Sequence, residues 1–244
     1  MGKPGKMRIG TSGWCYDHWA GVFYPDELPS SRRLAYYARH FSSTEINSSF
    51  YRLPSAQTLR RWRDTVDSGF RFAVKASRYI THMKKLKDPH QGLHRFLERI
   101  TTLGDRLGPI LFQLPPRWHF NAERLETFLD ALPGEFRYVL EFRDPGWIND
   151  HSLALLRAHD VAFCIYEIEG YLTPQHITAD FVYVRLHGPD DAYAGCYDQR
   201  TLARWADTAD GWRRQGRDVF VYFDNDEAGY AVRNALTLAT MLGA

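Results

Sequence analysis

The feature that most constrains the fold is a set of eight short strand-like segments spread along the whole chain. Each is rich in β-branched and aromatic residues, and most are almost continuously apolar, as is typical of parallel strands buried on both faces. The segments cover residues 7–10, 43–47, 70–76, 109–113, 137–142, 161–165, 181–186 and 218–223. Parallel strands need long crossover connections, so helices are expected between them.

Helical patterns occupy most of these gaps. Apolar residues recur at the helical period in residues 59–66, 93–103, 125–132, 202–209 and 231–242. Ser55 and Asn121 stand where N-cap residues are expected before two of the helices. The connection from Glu167 to Asp180 is poor in helical signal, and we expect only a short turn of helix near Thr173.

This alternation predicts an α/β fold, a single (β/α)8 TIM barrel with a degenerate sixth crossover. The chain has 244 residues, close to the roughly 250 of a typical barrel. Eight parallel strands in that length favour a closed barrel over an open doubly wound sheet. No linker or repeat interrupts the chain, so we expect one domain over residues 1–244, with residues 1–6 as a flexible N-terminal segment.

Composition narrows the cellular setting. The 31 lysines and arginines nearly balance the 29 aspartates and glutamates, which does not favour a nucleic-acid partner. No run approaches the roughly 18 apolar residues of a membrane span, and the start of the chain lacks the apolar stretch of a signal peptide. Cys15, Cys164 and Cys196 are too scattered for a disulfide framework or a zinc knuckle. We expect a cytoplasmic protein without a membrane partner.

Strongly polar residues end every predicted strand except the sixth. Ligands bind at the C-terminal ends of the strands in a TIM barrel, so these residues predict a site at the barrel mouth. The polar residues are Ser12, Glu45, Asn47, Lys75, Arg78, His82, Gln113, Glu141, Arg143, Arg185, His187, Asp224 and Asn225, and Trp14 and Trp147 lie beside them. The alternative is a purely structural network in which Lys75 and Arg185 pair with Glu45 and Glu141. A ligand site is favoured, because every polar group falls at one end.

Several motifs at these strand ends resemble a known family. They include Gly-Thr-Ser-Gly-Trp at 10–14, Glu-Ile-Asn at 45–47, Phe-Ala-Val-Lys-Ala at 72–76, Phe-Gln-Leu-Pro-Pro at 112–116, Glu-Phe-Arg at 141–143 and Tyr-Val-Arg-Leu-His-Gly at 183–188. From Arg8 to about Leu242 the chain is similar to the YecE-like proteins, an uncharacterised family known as domain of unknown function 72. The resemblance implies a TIM barrel and no assigned reaction. Asp224 stands where the family leads us to expect asparagine, and Glu167 where aspartate is usual.

Cationic side chains predominate at the predicted mouth. Lys75, Arg78, Arg143 and Arg185 outnumber Glu45, Glu141 and Asp224. Arginine recognises carboxylate and phosphate groups through paired hydrogen bonds, so we expect a small anionic ligand. Trp14, Tyr51 and Trp147 are candidate flat walls for a sugar or a base.

These residues favour an enzyme that uses metal-free acid–base chemistry and no cofactor, on a phosphorylated or carboxylated, sugar-like substrate. The predicted catalytic residues are Glu45, Lys75, Glu141 and His187. The predicted substrate-binding residues are Ser12, Trp14, Asn47, His82, Gln113, Arg143, Trp147, Arg185 and Asn225. Hydrolase, lyase and isomerase chemistries all remain open, as does the oligomeric state.

Four alternatives stay open. Lys75 could form a Schiff base. Glu45 and Glu141 could act as glycosidase carboxylates roughly 5–10 Å apart. A metal-dependent sugar isomerase or phosphoesterase would use Glu45, Glu141, His187 and Asp224, although the interleaved cations would repel a metal ion. A non-catalytic module could bind a phosphorylated ligand or nucleic acid, helped by Lys84, Lys85 and Lys87.

Overall fold

The computed structural model describes residues 2–243, which form a nearly closed barrel of eight parallel strands surrounded by helices. The strands are β1 Met7–Thr11, β2 Ser43–Ile46, β3 Arg71–Lys75, β4 Leu107–Gln113, β5 Tyr138–Glu141, β6 Ala162–Ile168, β7 Tyr171–Leu172, β8 Phe181–Leu186 and β9 Asp218–Phe223. Neighbouring barrel strands follow the order β1-β9-β8-β6-β5-β4-β3-β2, and β7 pairs only with β6. The predicted TIM barrel is confirmed.

The helices lie between the barrel strands. They are α1 Ser30–Tyr37, α2 Ser48–Tyr51, α3 Ala56–Thr65, α4 Pro89–Ile100, α5 Ala122–Asp130, α6 Asp150–Ala158, α7 Gln199–Arg214 and α8 Tyr230–Leu242. The two predicted N-caps are confirmed, because the Ser55 hydroxyl accepts from the Thr58 amide at 3.0 Å and the Asn121 side chain accepts from the Arg124 amide at 2.8 Å. Among residues 2–243, no helix is long and apolar enough to cross a membrane.

Strands β1 and β2 meet where the barrel closes. The backbone of Gly10 approaches β2 so closely that a Cβ atom there would lie 2.1 Å from the Ser43 carbonyl oxygen. The buried Tyr37 hydroxyl accepts from the Thr11 amide at 2.9 Å and donates to the Ser43 carbonyl at 3.2 Å. β1 and β2 are not paired by a regular ladder of backbone hydrogen bonds. The hydroxyl of Tyr37, from α1, bridges them instead, and Gly10 on β1 lets the two backbones approach closely.

The sixth crossover differs in detail from the prediction. The helical turn expected near Thr173 is wrong, because β7 folds back antiparallel on β6 through Glu169 and Gly170, both at positive φ. Thr173 holds this hairpin, since its amide donates to the Tyr166 carbonyl and its hydroxyl accepts from the Tyr166 amide, both at 3.0 Å. No described helix joins β6 and β8, as expected of a degenerate crossover.

The start of the chain is partly held in place. Met1 lies outside the described residues, but the Gly5 amide donates to the Arg213 carbonyl at 2.9 Å. The Lys6 amide donates to the Asp218 carboxylate at 2.7 Å. Residues 5 and 6 thus fasten the first strand to its neighbours, and the flexibility expected of residues 1–6 stays a prediction.

Inside the barrel, side chains form layers because successive residues of a strand point to opposite faces. The middle of the barrel is filled by an apolar layer that includes Ala73, Leu111, Val139, Tyr183 and Phe220. Charged residues lie above this layer at the C-terminal strand ends and below it at the N-terminal ends. The apolar layer separates two polar regions, one at each end of the barrel.

Candidate active site at the barrel mouth

Arg185, at the end of β8, lies at the centre of the mouth and is fully buried. Its Nη2 atom donates to Glu45 Oε1 at 2.8 Å and to Asp224 Oδ2 at 2.9 Å. Its Nη1 atom donates to Glu141 Oε2 at 2.8 Å. One guanidinium thus joins carboxylates from β2, β5 and the end of β9, and its own burial is compensated by three opposite charges.

Arg143 adds a second cation to this cluster. Its Nε atom pairs with Glu141 Oε1, and its guanidinium lies 4.7 Å from the centre of the Tyr166 ring. Burial alone would raise the pKa of Glu141, but Arg143 and Arg185 together hold that pKa well below its usual range. Glu141 is therefore a permanently ionised group.

His187 links the two arginines to Asp224. Its Nε2 atom lies 2.8 Å from Arg143 Nη2 and 3.2 Å from Arg185 Nη1, so this nitrogen acts as the acceptor. Its Nδ1 atom lies 3.2 Å from Asp224 Oδ2. Burial, followed by the charge of Arg185, lowers the pKa of His187 to about 4. The imidazole is neutral at pH 7 and carries its proton on Nδ1.

Lys75 differs from the two arginines. Within the described part of the chain no carboxylate lies within 4.0 Å of its amine, which lies 4.6 Å from the centre of the Phe50 ring instead. Burial, followed by the charge of Arg185, lowers the pKa of Lys75. Of the two cations in the alternative, purely structural network, Arg185 pairs with Glu45 and Glu141, whereas Lys75 pairs with neither.

Two recesses open beside this cluster. The larger, which we call the mouth recess, has a volume of about 460 Å³ and is lined by Gln113, Arg143, Tyr166, Tyr171 and Tyr193. The smaller, of about 240 Å³, is lined by Trp14, Tyr16, Asn47 and Trp62. The side-chain oxygens of Gln113 and Asn47 are buried and accept no hydrogen bond from any described residue. Gln113 lines the mouth recess and Asn47 the smaller one, so each recess has beside it a buried polar atom without a partner.

Some predicted site residues occupy supporting positions. Ser12 is buried, and its hydroxyl donates to Glu45 Oε1 at 2.8 Å. Trp147 is fully buried and donates to the Trp118 carbonyl, so it offers no wall to a ligand. Asn225 is also buried, and its side-chain Nδ2 atom donates to the Gly195 carbonyl at 2.8 Å. His82 lies in the π-helical turn Tyr79–Met83 and faces Phe50, with the ring centres 4.9 Å apart.

Sequence reasoning missed several tyrosines of the mouth. Tyr183 is buried and donates to Glu45 Oε2 at 2.6 Å. Its position two residues before Arg185, on the same face of β8, is the signal that could have revealed it. Tyr193 lies on the loop after β8, with its ring centre 5.2 Å from that of His187, and no periodicity marks it. Glu167 faces α7 instead of the mouth, accepting from Trp205 at 3.2 Å.

The positions of the carboxylates also bear on the alternative of a metal-dependent site. Across residues 2–243, no three histidine, cysteine, aspartate or glutamate side chains come together as a metal-ligand set. Glu45, Glu141 and Asp224 surround the Arg185 guanidinium, which occupies the position that a cation would need.

Comparison with known proteins agrees with the motifs. Residues 8–244 match the family described as "Protein of unknown function DUF72". UPF0759 protein YecE of Escherichia coli K12 is 34% identical over 142 residues, which cover 57% of this chain and 49% of that protein. UPF0759 protein YunF of Bacillus subtilis 168 is 26% identical over 97% of this chain and 94% of its own length.

Among solved structures, a DUF72 family protein of Thermotoga maritima MSB8 superposes with a TM-score of 0.89 at 28% identity. The superposition covers 98% of this chain and all of that one. That protein therefore has the fold found here. The expected family is confirmed: the chain belongs to the DUF72 family.

Proposed function

We propose that the barrel mouth is the active site of an enzyme that transfers a proton to or from a small anionic substrate, with Lys75 as the group that exchanges the proton. The observation that carries this proposal is the state of the Lys75 amine. It is partly buried at the end of β3, and no carboxylate lies within 4.0 Å of it in the described chain. A lysine with a lowered pKa is a suitable general base near neutral pH.

The carboxylates have a different role in this proposal. Both oxygens of Glu45 accept from Arg185, and they also accept from Ser12 and Tyr183. Both oxygens of Glu141 accept from arginines. Groups that are so fully engaged are poor proton carriers, so we assign them to positioning Arg143 and Arg185. The sequence predicted acid–base chemistry by the carboxylates and Lys75 together. In this proposal Lys75 alone exchanges the proton.

The mouth recess suits a small ligand that carries an anionic group and hydroxyls. Its volume of about 460 Å³ falls within the usual range for small-molecule sites. Arg143 reaches the recess with a guanidinium edge that can hold a carboxylate or phosphate group. A rotation of the Gln113 side chain would bring its unpaired oxygen to a ligand hydroxyl, and Tyr166, Tyr171 and Tyr193 supply flat apolar surface.

The same amine supports a second candidate, in which Lys75 forms a Schiff base with a carbonyl substrate. The neutral amine would add to the carbonyl carbon and the carbonyl oxygen would leave as water, giving an imine. The lowered pKa of Lys75 favours this chemistry as well. Reduction with borohydride separates the two candidates, because only an imine leaves a stable adduct on Lys75 that mass spectrometry detects.

The experiment that tests the proposal begins with thermal shift against phosphorylated sugars, sugar acids and nucleotides. Each ligand that stabilises the protein is then incubated with it in D₂O, and carbon–deuterium exchange is followed by NMR. We expect exchange with the native protein and a loss of at least about 100-fold in Lys75→Met, the usual contribution of a general base. Lys87→Met, at an exposed lysine nearby, is the matched control.

A third variant separates binding from catalysis. Arg143→Gln should weaken the stabilisation by the ligand, whereas Lys75→Met should keep it. Undiminished exchange in Lys75→Met would refute the proposed role. Binding without exchange for every ligand would instead favour a non-catalytic binding module.

A further inference from the structure

The barrel has a second opening at the end opposite to the mouth. A cavity of about 430 Å³ lies there, among the N-terminal ends of several strands. Its lining includes Lys6, Arg8, Arg71, Arg137 and Asp218. Phe220 forms its floor and belongs to the apolar layer that separates this cavity from the mouth.

Arg8 on β1 is the central residue of this cavity, and it is only 7% exposed. Its Nη1 atom donates to the carbonyls of Gly69 at 2.8 Å and Ser42 at 3.3 Å. Within residues 2–243, no carboxylate lies within 4.0 Å of Arg8, and its other guanidinium nitrogens make no hydrogen bond to the protein. Burying a cation without a counter-charge is costly, so the arrangement calls for an anion.

A second arginine, Arg71, lines the same cavity as Arg8. Arg71 donates from Nη1 to the carbonyls of Ser68 and Phe70, both at 2.8 Å, and has no carboxylate within 4.0 Å in the described chain. Burial, followed by the charge of Arg71, lowers the pKa of Arg8. Two arginines with unpaired charge thus face one cavity.

Acidic groups near the cavity are engaged elsewhere or lie at its rim. Asp218 pairs with Arg137 at 2.7 Å, and it accepts from the Lys6 amide. Asp105 also lines the cavity, but its carboxylate pairs with Arg106, which lies outside the lining. Glu135 is exposed at the rim. None of these carboxylates lies within 4.0 Å of Arg8 or Arg71.

We propose that this second cavity binds the phosphate group of a small phosphorylated molecule, held between Arg8 and Arg71. A tetrahedral dianion can accept hydrogen bonds from two guanidinium groups at once, which matches the two unpaired cations. Arg137, fixed by Asp218, contributes further positive charge at the edge. The cavity is larger than a phosphate ion, so it leaves room for the remainder of the ligand.

The site can be tested with pyrophosphate and inorganic phosphate, with acetate at the same ionic strength as the control anion. Isothermal titration should give saturable binding of pyrophosphate to the native protein. We expect the dissociation constant to rise at least about tenfold in Arg71→Gln, the equivalent of 1.4 kcal/mol. Arg200→Gln changes an exposed arginine of α7 that lines neither this cavity nor the mouth recess, and it should bind as the native protein does.

Arg8→Gln should lose binding as well, and circular dichroism will show whether this buried position tolerates the change. Arg71 is only half-buried, so its variant carries the test if Arg8→Gln does not fold. Absence of saturable binding up to about 10 mM would overturn the proposal, since that corresponds to a negligible affinity. Binding lost in Arg143→Gln but kept in Arg71→Gln would assign the anion to the mouth and would overturn it equally.

Discussion

Arg185 is fully buried, and its guanidinium donates to Glu45, Glu141 and Asp224. A buried ion cluster of this kind stabilises the fold only while all of its members are present, because removing one leaves desolvated charges without compensation. His187 is neutral because its ring is buried and because two arginines lie beside its acceptor nitrogen. At the scale of single residues, the mouth is therefore sensitive both to substitution and to pH.

Replacing Arg185 should destabilise the protein strongly. In Arg185→Met the carboxylates of Glu45, Glu141 and Asp224 would face one another with Arg143, on Glu141, as the one paired arginine left, and we expect a loss of about 3–5 kcal/mol in the free energy of unfolding. Urea denaturation at pH 7 measures this loss. Arg61→Met, at an exposed arginine of α3, is the control and should change stability by less than about 0.5 kcal/mol. A loss below about 1 kcal/mol in Arg185→Met would contradict the description of the cluster.

His187 should make stability depend on pH. Between pH 6.5 and about 4 the unfolded chain binds a proton at this residue that the folded protein does not bind. The free energy of unfolding should therefore fall as the pH drops through this window, by about 2 kcal/mol from pH 7 to pH 5. Glu141 adds little in this range, because the contribution of a carboxylate with a lowered pKa is lost only below about pH 4.3.

Urea denaturation of the native protein and of His187→Gln at pH 7 and pH 5 checks this expectation. The pH-dependent loss should shrink in His187→Gln and persist in His90→Gln, where an exposed histidine of α4 is changed. An equal loss in the native protein and in His187→Gln would mean that other groups cause it.

Among the elements, the seam between β1 and β2 is the weakest part of the barrel wall. One isolated bridge, Ser12 to Glu45, joins the two strands, and side chains supply further hydrogen bonds. Glu45 thus serves the seam and the Arg185 cluster at once. The close approach at Gly10 is possible only because that residue has no side chain.

Gly10→Ala should open this seam. The new methyl group would overlap the Ser43 carbonyl, and we expect a destabilisation of about 1–3 kcal/mol. Gly69→Ala is the matched control, because a Cβ atom there meets nothing within 4 Å. Thermal unfolding followed by circular dichroism compares the two. Equal stability of both variants would show that the seam tolerates separation.

The elements also show how far sequence reasoning reaches. Local signals were sufficient for the strands, for the caps at Ser55 and Asn121, and for the placement of Glu141 and Arg185 at the mouth. The hairpin after β6 was not predicted, because the hydrogen bonds between Thr173 and Tyr166 outweigh the weak helical preference of that stretch. The pairing of Arg185, and the isolation of Lys75, depend on distances across the barrel that no local pattern records.

For the whole molecule, the apolar layer divides the interior into two electrostatic compartments. The mouth holds the Arg185 cluster and Lys75, and the opposite end holds Arg8 and Arg71. Side chains such as Leu111, Val139 and Phe220 fill the space between them. Energetic effects at the two ends should therefore be independent.

The double variant Lys75→Met with Arg71→Gln tests this independence. The changes in the free energy of unfolding should add to within about 0.5 kcal/mol, as they do for residues without shared partners. Urea denaturation of the two single variants and the double variant measures the deviation. A coupling above about 1 kcal/mol would show that the apolar layer transmits strain or charge between the ends.

The cluster around Arg185 also has a mechanical consequence. Its three carboxylates come from β2, β5 and the end of β9, which lie on different sides of the barrel wall. Flattening the circular cross-section into an ellipse would lengthen at least one of these charged hydrogen bonds. These charged hydrogen bonds therefore oppose any change in the diameter of the rim, so that the barrel wall at the mouth behaves as a stiff ring.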